Sequence, residues 1–304
     1  MRVASTLCVV IGSWAFATIA AAQPAAKPVN VGKVPMLSVP CVPSGDIELL
    51  VSGDGPALCW AGGCMSPDLS SLAATMVPKP APTPAWIGAQ AELRTQGAGL
   101  AACKDTTCKP LGPKLTKAIA EARAGAVDGP VAIGVSGDLK AVAIGMGAWS
   151  VAKDKPIAFK APKSYKGSID KPFLGGVSVA GNLLVTQWSN CAGPCTVAQV
   201  TDSSGKNLGA ELSGGGPIVQ VDADHFAVVS EYGDIHVLSF KGKHIGDHET
   251  GGDPSGALAV ARLAEGELAL MHDDPGVGMR IERYYAGGTT PRLSSARTLP
   301  FCTP

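Results

Sequence analysis

A tight-turn pattern recurs about every 43 residues along this chain, and that period constrains the fold more than any other feature. The segments Val51-Ser-Gly-Asp-Gly55, Val135-Ser-Gly-Asp138, Val179-Ala-Gly-Asn182, Val221-Asp-Ala-Asp224 and Leu263-Ala-Glu-Gly266 each follow an apolar alternating run. A looser copy, Leu93-Arg-Thr-Gln-Gly97, fills the remaining gap. Gly-Asp and Gly-Asn suit the left-handed backbone of a hairpin, so each segment reads as a turn between two strands. A second turn follows each, at 60–63, 104–107, 146–148, 192–194, 231–234 and 273–278. Six units at this period account for nearly everything from Cys41 to Cys302.

One unit is clearest at 218–249. Strands are expected at 218–221, 225–230 and 235–240, with a weaker fourth at 244–249. Four antiparallel strands in roughly 40–45 residues make the blade of a β-propeller. Over roughly residues 38–302 the chain therefore resembles a six-bladed β-propeller. That resemblance implies an all-β fold with about 43 residues per blade. It rests on period and turn chemistry: the WD dipeptide, the kelch double glycine and the sialidase Ser-x-Asp-x-Gly-x-Thr-Trp box are absent, so no particular propeller family is indicated. A β-sandwich or two smaller β domains is the competing arrangement. The Pro-rich stretch 77–85 reads as an extended connection. At 111–123, Leu111, Leu115, Ile119 and Ala122 fall at helical spacing and suggest a short surface helix.

The N-terminus bears on how the cysteines are read. One Arg, an apolar run from Val9 to Ile19 and Ala20-Ala21-Ala22 before Gln23 have the layout of a secretory signal peptide. An uncleaved anchor is the competing reading, though the run is short for a membrane span. The expected organisation is a signal peptide at 1–22, a flexible segment at 23–37 and a single propeller domain at 38–304. The mature protein would then be secreted, periplasmic or at the cell surface, with no membrane span after cleavage. It would carry 24 basic and 25 acidic residues. That balance argues against nucleic acid, which calls for a basic patch.

Removal of Cys8 would leave eight cysteines: Cys41, Cys59, Cys64, Cys103, Cys108, Cys191, Cys195 and Cys302. An even number in an exported chain favours disulfides. Cys59/Cys64, Cys103/Cys108 and Cys191/Cys195 each flank a second-to-third strand hairpin and recur in phase with the repeat, as structural staples do. Zinc or redox roles are the alternatives, and none of the three spacings is C-x-x-C. Cys41 and Cys302, left at the two ends of the array, would form a latch closing the ring. In the chain-entropy treatment a six-residue loop is worth ~2 kcal/mol and one of about 260 residues ~5–6 kcal/mol.

Candidate chemistry is sparse. In a propeller, the second-to-third strand loops and the connections to the next blade share one face. His244 and His248 with Asp253, and His272 with Asp273, would meet there and could hold Ca²⁺ or Zn²⁺. His244 and His248 would point the same way if 244–249 is a strand. A solvated polar rim explains the same residues. Trp60, Trp149 and Trp188 lie in or beside hairpin loops and would either stack on a ligand or pack between blades. No G-x-S-x-G, H-E-x-x-H or P-loop pattern occurs. The sequence thus points to a binding or scaffolding module for a protein or carbohydrate, without cofactor. A metal-dependent hydrolase or lactonase-like enzyme with a channel-mouth cation is the alternative.

Overall fold

The computed structural model describes residues 41–71, 73–80, 91–126, 131–165, 171–190, 196–230, 232–249, 257–274, 277–288 and 290–302. All of these belong to one unit, Ser38–Pro304. The leader expected at 1–22 and the segment at 23–37 lie outside the described residues, as does most of the Pro-rich stretch.

The described residues form six antiparallel sheets, five of four strands and one of three, and within each sheet spatial order follows chain order. The first contains Glu48–Ser52, Gly55–Trp60, Gly63–Pro67 and Ala74–Val77, and the second Ala91–Gln96, Gly99–Lys104 and Thr107–Pro110. The third contains Ile133–Val135, Ala141–Ile144, Gly147–Ser150 and Lys155–Pro156. The fourth comprises Phe173–Ala180, Leu183–Ser189, Val197–Asp202 and Asn207–Ser213. Ile218–Gln220, His225–Val229, Ile235–Ser239 and His244–His248 make the fifth, and Ala257–Ala264, Glu267–Asp274, Gly278–Tyr285 and Arg292–Pro300 the sixth. Second strands begin at Gly55, Gly99, Ala141, Leu183, His225 and Glu267, so successive sheets are 42–44 residues apart, the period read from the turns.

Burial explains the composition of these strands. Second strands are covered on both faces, which is why they read as continuous apolar runs such as Ala141-Val-Ala-Ile144 and Leu268-Ala-Leu-Met271. Fourth strands are edges and largely exposed, and the strand His244–His248 accordingly carries mostly polar residues. Apolar clusters join neighbouring sheets. Ala102, Val135 and Val142 link the second and third, and Ala143, Val177 and Leu184 the third and fourth. Val185, Phe226 and Leu238 link the fourth and fifth, and Val237, Leu268 and Tyr284 the fifth and sixth. Leu49, Leu58 and Met65 of the first sheet share a cluster with Ala269, Met279 and Ile281 of the sixth. None of these clusters joins the first sheet to the second.

Turns reinforce the seams. Gly137 N–H donates to the Gly181 carbonyl at 2.8 Å, tying a first-to-second turn of the third sheet to that of the fourth. Gly181 itself has φ +59°, and a Cβ there would sit 3.0 Å from the Phe240 ring of the fifth sheet. Both demands, positive φ and close approach, are met only by glycine.

The cysteines staple two hairpins and the chain ends. Cys59–Cys64 and Cys103–Cys108 are bonded, each pair with Cα atoms 4.1 Å apart. In both hairpins one further residue pair lies inside the cysteines, Trp60 opposite Gly63 and Lys104 opposite Thr107. The turns are therefore two residues long rather than the four-residue loops suggested by the cysteine spacing. Cys191 and Cys195 lie outside the described residues. Cys41–Cys302 spans 261 residues. Beside it Val42 pairs in parallel with Phe301, Val42 N–H donates to the Pro300 carbonyl, and Cys302 N–H donates back to the Val42 carbonyl, both at 2.9 Å. Arg297 Nη1 adds bonds of 2.9 Å to the Asp68 and Ala73 carbonyls of the first sheet.

The expected helix runs Pro113–Ala124. Proline at its first position is preset for helical φ, and Leu115 and Ile119, one turn apart, are fully buried against the second and third sheets. Its N-terminus has no cap of its own. Asp154, from the third sheet's turn region, accepts the Lys114 and Leu115 N–H groups at 3.1 and 2.8 Å.

Candidate functional site

Two ends of the sheets must be distinguished. First-to-second and third-to-fourth turns lie at one end, and second-to-third turns at the other, as in any antiparallel meander. At the second-to-third end, Met146 is 67% exposed, Met76 66%, Val277 56% and Phe173 48%. Met146 sits in the turn between the second and third strands of its sheet. Met76 packs against Gly63 of the first sheet's turn. Phe173 pairs with Ser189 at the last position of a second strand. The three most exposed large apolar side chains of the described residues, Met146, Met76 and Val277, therefore share one end, while Tyr285, Leu293 and Leu208, 40–49% exposed, lie toward the other.

The three tryptophans are less exposed than these. Trp60 is half-buried and packs beside the cluster joining the first and sixth sheets, while Gly62 lies under its indole. A shallow cavity of about 260 Å³ runs beside it, lined by Asp46, Glu48 and Lys79 among others. Trp149 packs on the cluster between the second and third sheets. Trp188 is buried, and its Nε1–H donates to Thr186 Oγ1 at 3.0 Å. Packing between sheets accounts for Trp149, and burial with a satisfied indole N–H accounts for Trp188.

His244, His248, His272 and Asp273 are distributed over different faces, and Asp253 lies outside the described residues. His272 and Asp273 are consecutive in a strand and so face opposite sides of the sixth sheet. His272 is buried against the fifth sheet, with Nε2 3.2 Å from Glu282 Oε2, an approach close enough for an ion pair but not aligned as a hydrogen bond. Glu282 also accepts from Arg280 Nε and from the Tyr284 hydroxyl, each at 2.7 Å. Burial acts to raise the Glu282 carboxyl, but His272, Tyr284 and Arg280 outweigh it and hold its pKa at about 2. Burial and then the Glu282 carboxylate keep the Tyr284 phenol protonated. His248 meets the edge of Tyr284, with ring centroids 4.9 Å apart. His248 and His272 thus join one buried polar network at the seam of the fifth and sixth sheets.

His244 points the other way. Its strand carries a β-bulge: Val237 pairs with Gly246 and Leu238 with His244, leaving Ile245 unpaired. Ile245 packs toward the sixth sheet, and the extra residue turns His244 onto the face that carries Asp247 and His236. Asp247 Oδ1 lies 2.7 Å from His244 Nε2 and 2.6 Å from His236 Nδ1. Burial acts to raise Asp247, and the two imidazoles outweigh it and hold it below the ordinary carboxylate range. The expectation that His244 and His248 share a face assumes strict alternation, which the bulge removes. Neither His236 nor Asp247 is among the candidate residues to which the sequence pointed. Of the two, only Asp247, flanked by histidines, carried a signal in the sequence.

No family model matches the sequence, and no curated protein matches it. Among solved structures, the chain is similar to a protein of unknown function from Desulfotomaculum acetoxidans DSM 771, at TM-score 0.35 and 10% identity, covering 85% of this chain and 72% of that one. It is also similar to BBS1N in a complex with ARL6DN, at TM-score 0.32 and 11% identity over 81% and 77% of the two chains. A chain of a mitotic checkpoint complex aligns at TM-score 0.29 and 10% identity, over 70% and 78%. At these scores fold and function have to be argued from the residues themselves.

Proposed function

We propose that the protein is exported, closes into a six-bladed β-propeller latched by Cys41–Cys302, and works as a binding scaffold for a protein partner. Five of the six seams that a ring requires have a shared apolar cluster, including the one between the last and first sheets. The disulfides and the signal-like N-terminus support an oxidising compartment.

The observation that carries the binding role is the gathering of Met76, Met146, Phe173 and Val277 at the second-to-third turn end. The most exposed apolar side chains, at 56–67%, are all at this end, where two of the three are methionines, which adapt to a protein partner's contours. A carbohydrate would call for exposed aromatic plates instead, and Trp149 and Trp188 are engaged in packing. The test is a photo-crosslinking residue placed at position 146 or 173, and separately at 208 on the opposite end, in the cells of origin. Discrete protein adducts from 146 and 173 but not from 208 are expected. Equal labelling from both ends, or none from either, would remove this reading.

A further inference from the structure

We propose that His236, His244 and Asp247 form a binding site for a divalent transition-metal ion, zinc foremost. The donor atoms of the three side chains all lie within 4.8 Å of one another. Zinc bonds to nitrogen and oxygen at about 2.0–2.2 Å, so tetrahedral donors around one ion stand about 3.3–3.6 Å apart. The present 2.6 and 2.7 Å contacts need to open by about 0.6–1.0 Å to admit it. His244 lies on an exposed edge strand and can make that adjustment.

Three independent features set this cluster apart from a casual ion pair. His236 is buried, and its Nε2 lies 3.0 Å from the Ser213 carbonyl of the neighbouring sheet. A carbonyl can only accept, so Nε2 carries the hydrogen and Nδ1 is the nitrogen turned toward Asp247. Histidines that ligate metals are held in this way, with the second ring nitrogen donating to a fixed acceptor. The bulge at Ile245 is the second feature, because without it His244 would face away from Asp247. The third is access: the His244 and Asp247 side chains are 40% and 39% exposed, which gives an ion an entry path and leaves coordination positions open to water or to a donor from a partner.

The donor set also selects the ion. Two imidazole nitrogens and one carboxylate oxygen suit zinc, nickel, cobalt or copper, whereas calcium and magnesium take oxygen ligands. The site draws on the third and fourth strands of the fifth sheet, and in a closed ring it would lie on the outer rim rather than at the channel. It involves neither His248, His272 nor Asp273.

The full chain, purified without a polyhistidine tag and stripped with chelator, should be titrated with Zn²⁺ by calorimetry and with Co²⁺ by visible absorption. One saturable equivalent is expected, with a higher unfolding temperature on Zn²⁺ addition and no response to Ca²⁺. His244→Ala, an exposed change, and Asp247→Asn, a near-isosteric one, should each weaken Zn²⁺ binding by at least about 100-fold, more than loss of an outer-shell partner costs. His248→Ala and His225→Ala should leave it unchanged. The proposal is overturned if binding is absent, if it survives both ligand substitutions, if His248→Ala abolishes it equally, or if Ca²⁺ stabilises as well as Zn²⁺.

Discussion

Glu282 is one of the most strongly shifted carboxyls among the described residues. Its carboxyl is nearly buried, yet the Arg280 and Tyr284 donors and the nearby His272 imidazole bring the pKa from an ordinary 4.5 to about 2. A depressed folded-state pKa means that this group's stabilisation is complete above about pH 4.5 and is lost as pH falls toward 2. The amount at stake is at most about 3 kcal/mol. Between pH 5 and 2.5 the parent should therefore lose more thermal stability than Glu282→Gln does, and parallel curves would show that the network contributes nothing. Gly181 supports a matched test of backbone demand. Gly53→Ala, at φ +61° in open space, should cost about 1 kcal/mol in urea unfolding. Gly181→Ala adds the approach to Phe240 and should cost about 1–2 kcal/mol more. Equal losses would mean that the seam at Phe240 tolerates a methyl group.

Among the elements, the helix shows what sequence periodicity can and cannot reveal. Leu115 and Ile119 mark its buried side, and proline and glycine mark its ends, so its presence was legible. Its cap was not, because Asp154 arrives from about 40 residues away. Asp154→Ala should lower stability by about 1–2 kcal/mol, whereas Asp154→Asn, which keeps an acceptor and tolerates the positive φ at that residue, should lose less than half of that. Identical losses would place the effect in the turn rather than in the cap. The strand His244–His248 makes the opposite point. Its boundaries follow from pattern, but the facing of each histidine depends on one unpaired residue, Ile245. A bulge is a property of pairing between strands and leaves no signature in the strand that carries it. For that reason sequence reasoning grouped His244 with His248 and His272, while in the structure His244 meets His236 and Asp247.

At the scale of the whole molecule, the period was legible because five of the six described sheets repeat the same four tasks: a first strand, a doubly covered second strand, a partly covered third strand and an exposed fourth. Turn glycines and apolar second strands therefore recur every 42–44 residues. The proposed partner surface was not legible, since Met76, Met146, Phe173 and Val277 come from different units and their common end follows only from strand direction. Closure is the central claim, and the two kinds of disulfide give a direct comparison. A Cys41→Ser/Cys302→Ser double variant releases a span of 261 residues, and Cys59→Ser/Cys64→Ser releases one of five. The difference in loop entropy is about 3 kcal/mol, or roughly 5–10 °C for a domain of this size. Thermal unfolding of the two variants side by side is the decisive measurement. Closure predicts the larger drop for the Cys41/Cys302 variant, and an equal or smaller drop would contradict a ring latched at its ends.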